Sequence, residues 1–422
     1  METHWRVAVL AVGALLAAQC GRAQNAAFDA MLKRNRFELG VIDGKLDGRG
    51  YHVIRGSVQN AQFVLVGEDH GIAQIPEFMG ALCRELAPKG FHTMALETGP
   101  AITPELEKFA RSADGAKQLA AFDKKYPASV AFYNWAEEFA MLQECEKAAD
   151  PEGMKLWGVD QELMGSSGFL LEKILATHPG PQTKSALQAL LQENADDYAQ
   201  AAKTGSPGDV FMMKAKQKTL DTARDLLKQE GSTEAQQLFA ALLESRDIYS
   251  RNLKGDYYTS NRERALLMKT NFAAPLGAEM QKAGRPPKVL FKFGAWHMYR
   301  GINPLHSSEL GNLAGEFAEA HGAQSLHILI LGVKGEQSRF AGIGKPFQPA
   351  PLDLTNEKDS DFSFLAPLFA NRYGVVWTLY DVRGLRDKFN SYGKIDPELE
   401  RVIFGYDLVV LIPDPKASHQ IE

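Results

Sequence analysis

Seven short apolar segments constrain the fold of this chain more than any other feature. Each is rich in Val, Ile, Leu and Phe, and longer segments with helical spacing separate most of them. Strands that are continuous apolar runs are typical of a parallel sheet covered by helices on both faces. We therefore predict an α/β fold with a mostly parallel central sheet flanked by helices. The segments are 63–67, 91–97, 155–160, 288–294, 326–332, 375–382 and 406–413.

The alternation of strands and helices is interrupted between the third and fourth apolar segments. From about residue 181 to 284, apolar residues recur at helical spacing, with breaks at 205–209 and at Gly231. We predict a helical insertion here, which would serve either as scaffold or as the wall or cap of a cleft. The Pro-rich stretch 345–353 and the chain before about residue 60 are predicted to be loop-like.

Length and charge narrow the class of protein. The 422 residues suffice for one large domain or two smaller ones. We predict one domain over 61–422, preceded by an N-terminal segment at 24–60. The formal net charge of −5 and the absence of a basic cluster give no indication of nucleic-acid binding.

The first residues have the pattern of a secretory signal peptide. Arg6 precedes an apolar run at 7–18, and small residues follow near Ala23. We predict cleavage after Ala23 and a periplasmic or secreted mature chain without a transmembrane segment, because the run is too short to span a bilayer. Gln19 precedes Cys20, and this order makes a lipid anchor the less favoured alternative.

Two cysteines, Cys83 and Cys145, remain in the mature chain. They could form one disulfide in an oxidising compartment, but no Cys-x-x-Cys spacing indicates a metal or redox site. Each lies among apolar residues at helical spacing, so we expect buried structural thiols.

Ionisable residues follow four of the predicted strands. Glu68 and His70 end the first, Glu97 ends the second, Asp160 ends the third, and the fourth leads to His297. Because ligand crevices lie outside the carboxyl ends of parallel strands, we expect these side chains to converge at one edge of the sheet. Each carboxylate could instead cap the helix that follows it, and the last histidine could be a core residue.

Several familiar catalytic motifs are missing from the sequence. The stretch GSSGF at 165–169 lacks the spacing of a nucleophile elbow, and there is no His-Glu-x-x-His, phosphate-loop or dinucleotide motif. Two chemistries remain for histidine and carboxylates. One is general acid/base catalysis on water, and the other is ligation of a metal.

The sequence resembles the erythromycin esterase-like proteins. GEDHG at 67–71 is similar to the glycine-glutamate-histidine turn of that family, and GFHTMALETG at 90–99 to its strand that ends in glutamate. The resemblance covers about 60 to 415, and it implies a hydrolase that cleaves an ester or related carbonyl bond of a small molecule without a cofactor. Further similar stretches are 157–160, 261–271 with Arg264, Met268 and Asn271, the strand leading to His297, 310–323 and 404–413.

Two departures from that family point to related ones. Asp69 alone separates the first glutamate from the histidine, and residues 294–296 stand where a His-Asn pair is usual. Both features resemble the ChaN-like and Tiki/TraB-like proteins, which include haem-binding lipoproteins and metal-dependent peptidases. This resemblance implies two alternatives. In one, a divalent metal binds Glu68, His70, Glu97 and His297; in the other, haem binds a histidine or a tyrosine such as Tyr299.

For hydrolysis, we expect His70 to be neutral near pH 7 and to accept a proton from water. Glu68 or Glu97 would fix the tautomer of the imidazole and stabilise the imidazolium.

The remaining candidates would act on the water and on the substrate. Glu97 and Asp160 could hold the water, while His297 and Arg264 would stabilise the oxyanion. Arg264 suits this role because a helix that precedes a parallel strand runs antiparallel to it, which brings its N-terminal half to the carboxyl end of the strand.

Overall fold

The computed structural model describes residues 26–356 and 360–421. The predicted signal peptide, its cleavage site and Cys20 lie outside the described residues.

Within these two ranges, nine strands form one central sheet, and two more form a small antiparallel sheet. All seven apolar segments predicted from the sequence contain a strand of the central sheet. The strands are β1 (Arg36–Ile42), β2 (Lys45–Asp47), β3 (Ala61–Glu68), β4 (Thr93–Leu96), β5 (Lys155–Gly158), β6 (Val289–Gly294), β7 (Gln324–Gly332), β8 (Lys334–Arg339), β9 (Gln348–Asp353), β10 (Trp377–Asp381) and β11 (Leu408–Ile412).

The order of the central sheet is β2-β1-β10-β11-β7-β3-β6-β4-β5. From β11 to β5 every pairing is parallel, whereas β10 pairs antiparallel with both of its neighbours and β1 with β2. The predicted α/β fold with a mostly parallel sheet is therefore confirmed. β3 lies inside this sheet and is buried at every position, as the apolar run at 63–67 predicts for most of its length.

Helices cover the sheet, and those from α8 (Pro181–Thr204) to α12 (Tyr257–Ala283) follow one another between β5 and β6, which confirms the predicted insertion. None of the helices in the described ranges combines the length and the apolar character that a bilayer span requires. The α-helices are α1 (26–34), α2 (Arg49–Ser57), α3 (Gln74–Leu86), α4 (Thr103–Arg111), α5 (Gly115–Lys125), α6 (Ala136–Ala148), α7 (Ser167–Leu175), α8 (Pro181–Thr204), α9 (Phe211–Lys214), α10 (Gln217–Glu230), α11 (Thr233–Leu253), α12 (Tyr257–Ala283), α13 (Leu310–Ala320), α14 (Ala366–Asn371) and α15 (Pro397–Gly405). Short 3-10 helices span Ala87–Lys89, Pro207–Asp209, Ala295–Met298, Ser363–Leu365 and Val382–Ser391.

The last helix of the insertion, α12, is anchored over the centre of the sheet by aromatic packing. The ring of Phe272 on α12 meets that of Phe63 on β3 at 5.8 Å and that of Phe291 on β6 at 5.1 Å between centroids. Such pairs add to the energy of apolar burial. Arg264 lies about two turns earlier on the same helix, so this packing also determines where its guanidinium lies.

Two loop predictions were wrong. Before residue 60 the chain forms α1, α2 and the strands β1 and β2, which extend the same central sheet. β9 replaces the predicted Pro-rich loop and pairs with β8. Its two prolines, Pro349 and Pro351, are tolerated because an edge strand has positions where no N–H is needed.

The expectation of free thiols was also wrong. Cys83 on α3 and Cys145 on α6 form a disulfide, with their Cα atoms 5.1 Å apart. Both residues are buried, as expected. Apolar residues at helical spacing predict that each cysteine is buried, but they do not show that the two helices pack against each other.

Candidate active site

The carboxyl ends of β3, β6, β4 and β5 lie side by side, and the predicted site residues converge there. A pocket of about 480 Å³ opens at this edge of the sheet. Convergence follows from the parallel pairing of these strands. The catalytic role of the residues stays a prediction. The pocket is lined by all six predicted residues, which are Glu68, His70, Glu97, Asp160, Arg264 and His297.

His70 lies between two carboxylates in the turn after β3. Its Nδ1 is 2.8 Å from Oε1 of Glu68, and its Nε2 is 3.4 Å from Oε2 of Glu97. The ring of Phe132 stacks on the imidazole with 3.9 Å between centroids. Gly71 completes the turn with φ at 83°, a left-handed conformation that favours glycine.

The two carboxylates determine the charge of His70. Burial on its own lowers the pKa of the imidazole, but Glu97 and Glu68 outweigh burial and raise that pKa to about 10. The raised pKa favours the imidazolium form of His70 at neutral pH, whereas the sequence led us to expect a neutral imidazole. The sequence did not show that carboxylates face both ring nitrogens.

Glu97 is the centre of the cluster. Its Oε1 accepts a hydrogen bond from Nη2 of Arg264 at 2.7 Å and lies 3.5 Å from Nε2 of His297, and its Oε2 accepts from the backbone N–H of Gly294 at 2.5 Å. Burial on its own raises the pKa of Glu97, but His70, His297 and Arg264 together hold that pKa well below its usual range. Glu97 is therefore an ionised carboxylate at neutral pH.

Gly294 also makes room for the contact between Glu97 and His70. A Cβ at this position would lie 2.9 Å from Nε2 of His70 and 3.3 Å from Oε2 of Glu97. The end of β6 therefore needs a residue without a side chain.

Arg264 connects Glu97 to Asp160, as the predicted direction of its helix allows. Its Nε donates to Oδ1 of Asp160 at 2.9 Å, and its Nη2 donates to both carboxylates. Asn271, further along α12, donates to the backbone carbonyl of Val159 at 3.2 Å and ties the helix to the end of β5. The other terminal nitrogen of Arg264, Nη1, takes part in none of these bonds.

His297 is held by a glutamate that the sequence did not indicate. Its Nδ1 lies 3.2 Å from Oε2 of Glu309, which directly precedes α13. Glu309 is buried, and its Oε1 has no hydrogen-bond partner among the described residues. The contact orients the imidazole towards Glu97.

Sequence reasoning also missed Lys292 and Glu138, which lie behind Glu68. A signal was available for the lysine, because a charged residue inside an otherwise apolar strand needs a buried partner. No comparable signal marked Glu138 or Phe132, since their positions depend on how the loop before α6 packs.

The site residues do not fit the predicted metal site. In the ranges 26–356 and 360–421, no group of three or more His, Cys, Asp or Glu side chains is arranged to hold a metal ion. The cations that these carboxylates need are supplied by the chain itself, since Glu68 pairs with Lys292 and Glu97 with Arg264.

The predicted haem ligands do not fit either. Tyr299 is fully buried and packs against Tyr406 with 4.8 Å between centroids, away from the pocket lining. Both ring nitrogens of His70 and of His297 face carboxylate oxygens.

The fold and the pocket define an α/β protein with a histidine–carboxylate–arginine cluster at the carboxyl edge of its parallel sheet. Its fold is shared by a solved erythromycin esterase, as the sequence resemblance implied. An erythromycin esterase mutant in its open conformation superposes with a TM-score of 0.60 at 14% identity, over 90% of this chain and 97% of that one.

Two other solved structures share the fold. A succinoglycan biosynthesis protein has a TM-score of 0.56 at 14% identity, over 94% of this chain and 98% of that one. A protein from Bacillus cereus has a TM-score of 0.58 at 14% identity, over 94% of this chain and 99% of that one. At this identity the likeness shows the fold alone. No family model matches the chain, and no curated protein matches it significantly.

Proposed function

We propose that this chain is a hydrolase that cleaves an ester or related carbonyl bond with water activated between His70 and Glu97. The observation that carries the proposal is the contact of 3.4 Å between an imidazolium Nε2 and an ionised carboxylate, inside a pocket and beside the guanidinium of Arg264. This arrangement supplies a proton donor, a proton acceptor and a fixed positive charge at one place.

In the proposed reaction the two partners share the proton transfers. Glu97 accepts a proton from water as the water oxygen attacks the substrate carbonyl. His70 donates its Nε2 proton to the leaving alkoxide, and Glu97 then returns the water proton to His70. Nη1 of Arg264, with His297, stabilises the oxyanion of the tetrahedral intermediate.

We propose a small-molecule substrate and a periplasmic or secreted location for the mature chain. The pocket volume of about 480 Å³ is within the range of small-molecule sites. The disulfide between Cys83 and Cys145 supports an oxidising compartment, because such bonds are rare in the cytosol.

The test is hydrolysis of a panel of activated esters and lactones by the mature chain, 24–422, and by His70→Ala. We expect His70→Ala to lower kcat by at least about a hundredfold, the usual scale for a lost general acid or base. Activity should survive chelation, because the chain supplies its own cations.

His92→Ala is the matched control, since His92 also contacts a glutamate, Glu152, but lies before β4 at the opposite edge of the sheet. It should retain the wild-type rate. A folded His70→Ala variant with near-normal turnover, or no hydrolysis of any member of the panel by the wild type, would refute the proposed function.

A further inference from the structure

A buried ion pair lies directly behind Glu68. Lys292 on β6 has a side chain that is only 1% exposed. Its Nζ is 2.6 Å from Oε1 of Glu68 and 2.7 Å from Oε1 of Glu138, in the first turn of α6. The same oxygen of Glu68 contacts Nδ1 of His70 at 2.8 Å. Lys292 and Glu138 are thus connected to His70 through one carboxylate oxygen.

This pair needs an explanation, because burying charged groups is costly and a well-packed apolar pair is often at least as stable. Neither Lys292 nor Glu138 lines the pocket, so neither contacts a substrate there. Burial raises the pKa of the Glu138 carboxyl to about 7, although Lys292 and the helix N-terminus both favour its negative charge. Whatever these residues contribute to the pocket therefore passes through Glu68.

One loop packs against both ends of this connection. The ring of Tyr133 lies 5.9 Å from Nζ of Lys292, and the ring of Phe132 stacks on His70. The two aromatic residues are neighbours in the chain, just before α6. The ammonium and the imidazole are therefore each in contact with one of two neighbouring residues of this loop.

We propose that Lys292 and Glu138 form a positioning pair, which holds Glu68 ionised and oriented so that it accepts the Nδ1–H of His70. Nε2 of His70 then faces Glu97, where the proposed proton transfers take place. The inference rests on the proposed function and adds two positioning residues to it. A pair that only stabilised the fold would leave the ionisation of His70 and the value of kcat unchanged.

The main test removes both groups together in Lys292→Met/Glu138→Leu, so that neither is left buried without its partner. Without the ammonium, burial weakens Glu68 as a carboxylate, so the His70 pKa should fall by at least about one unit. We expect kcat to fall at least about tenfold, which is the lower end of the effects seen when a group that orients a catalytic histidine is removed. KM should stay within about twofold of the wild-type value. NMR titration of labelled histidine measures the pKa, and initial rates give kcat and KM.

Glu138→Gln is the conservative variant. The amide keeps an oxygen that accepts from Lys292, so kcat should stay within about threefold of the wild type. The double variant Lys155→Met/Glu279→Leu is the matched control. It removes an ion pair between β5 and α12 that does not line the pocket, and it should change neither kcat nor the His70 pKa.

A folded Lys292→Met/Glu138→Leu variant with wild-type kcat and an unchanged His70 pKa would overturn the proposal. If that variant does not fold, Lys292→Gln takes its place in the test, because this substitution keeps a hydrogen-bond donor and removes only the charge. An unchanged His70 pKa in Lys292→Gln would overturn the proposal as well.

The His70 titration needs no substrate, so it separates this inference from the proposed function. A shifted pKa in a protein that hydrolyses no ester would support the positioning pair and refute the hydrolase. If the wild type hydrolyses an ester, and Lys292→Met/Glu138→Leu keeps the full rate and an unshifted His70 pKa, only the positioning pair is refuted.

Discussion

At the level of single residues, acidic and basic side chains alternate in a continuous series from the core to the pocket. Each neighbouring pair is in direct contact at 2.5 to 2.9 Å, except the contact of 3.4 Å between His70 and Glu97. This longest contact lies at the pocket, where a water or a substrate oxygen would enter. From the core to α12, the series is Glu138, Lys292, Glu68, His70, Glu97, Arg264 and Asp160.

The charge of His70 predicts how stability depends on pH. Its pKa rises from 6.5 to about 10 on folding, so its contribution to the free energy of unfolding is fully present below about pH 6.5. That contribution is lost as the pH rises through about 10. We expect the free energy of unfolding of the wild type, from denaturant titrations, to decrease between these two values.

The matched comparison for this pH dependence is Glu97→Gln. It removes the carboxylate that raises the pKa of His70 most, so its stability should decrease less over the same interval. Parallel pH profiles for the two proteins would contradict the assigned charge of His70.

At the level of elements, the end of β6 controls the distance between His70 and Glu97. We expect Gly294→Ala to lower kcat about tenfold or more, because its Cβ would displace one of the two groups from alignment. Steady-state kinetics on a folded variant measure this effect. Gly277→Ala, on α12, is the control, since a Cβ there meets no atom within 4 Å. Equal kcat for the two variants would show that the spacing at β6 is unimportant.

The disulfide joins two helices next to the site. Cys83 lies on α3, which follows the His70 turn, and Cys145 lies on α6, which carries Glu138. Cys83→Ala/Cys145→Ala should lower the free energy of unfolding by about 2–4 kcal/mol, because the cross-link restricts the unfolded chain. Denaturant titration of the variant and of the oxidised wild type measures the difference. Coincident unfolding curves would contradict a stabilising cross-link.

At the level of the whole molecule, the sequence predicted the parts of the fold that repeat one pattern. Continuous apolar runs identified the central strands, and their parallel pairing brought Glu68, Glu97, Asp160 and His297 to one edge. The position of Arg264 in the N-terminal half of α12 also predicted correctly that its side chain lies at this edge of the sheet. Most of what could be predicted about the site therefore followed from the parallel direction of the strands.

What the sequence did not reveal depends on packing between distant segments. β1 and β2 extend the sheet at an edge, where half-exposed residues leave only a weak apolar pattern. The sequence shows Lys292 as a charged residue within an apolar strand. It does not show the partner of this lysine, Glu138, which lies far away in the chain. The ionisation of His70 depends on two such contacts at once, so it required the structure.

The pH dependence of kcat/KM for an activated ester tests the central claim most directly, because it reports the ionisation of His70 in the free enzyme. If His70 donates a proton while Glu97 accepts one, kcat/KM is level around neutral pH and falls at high pH with an apparent pKa of about 10. A value of kcat/KM that instead rises with pH over this range would show that neutral His70 is the base, and would contradict the proposed division of roles.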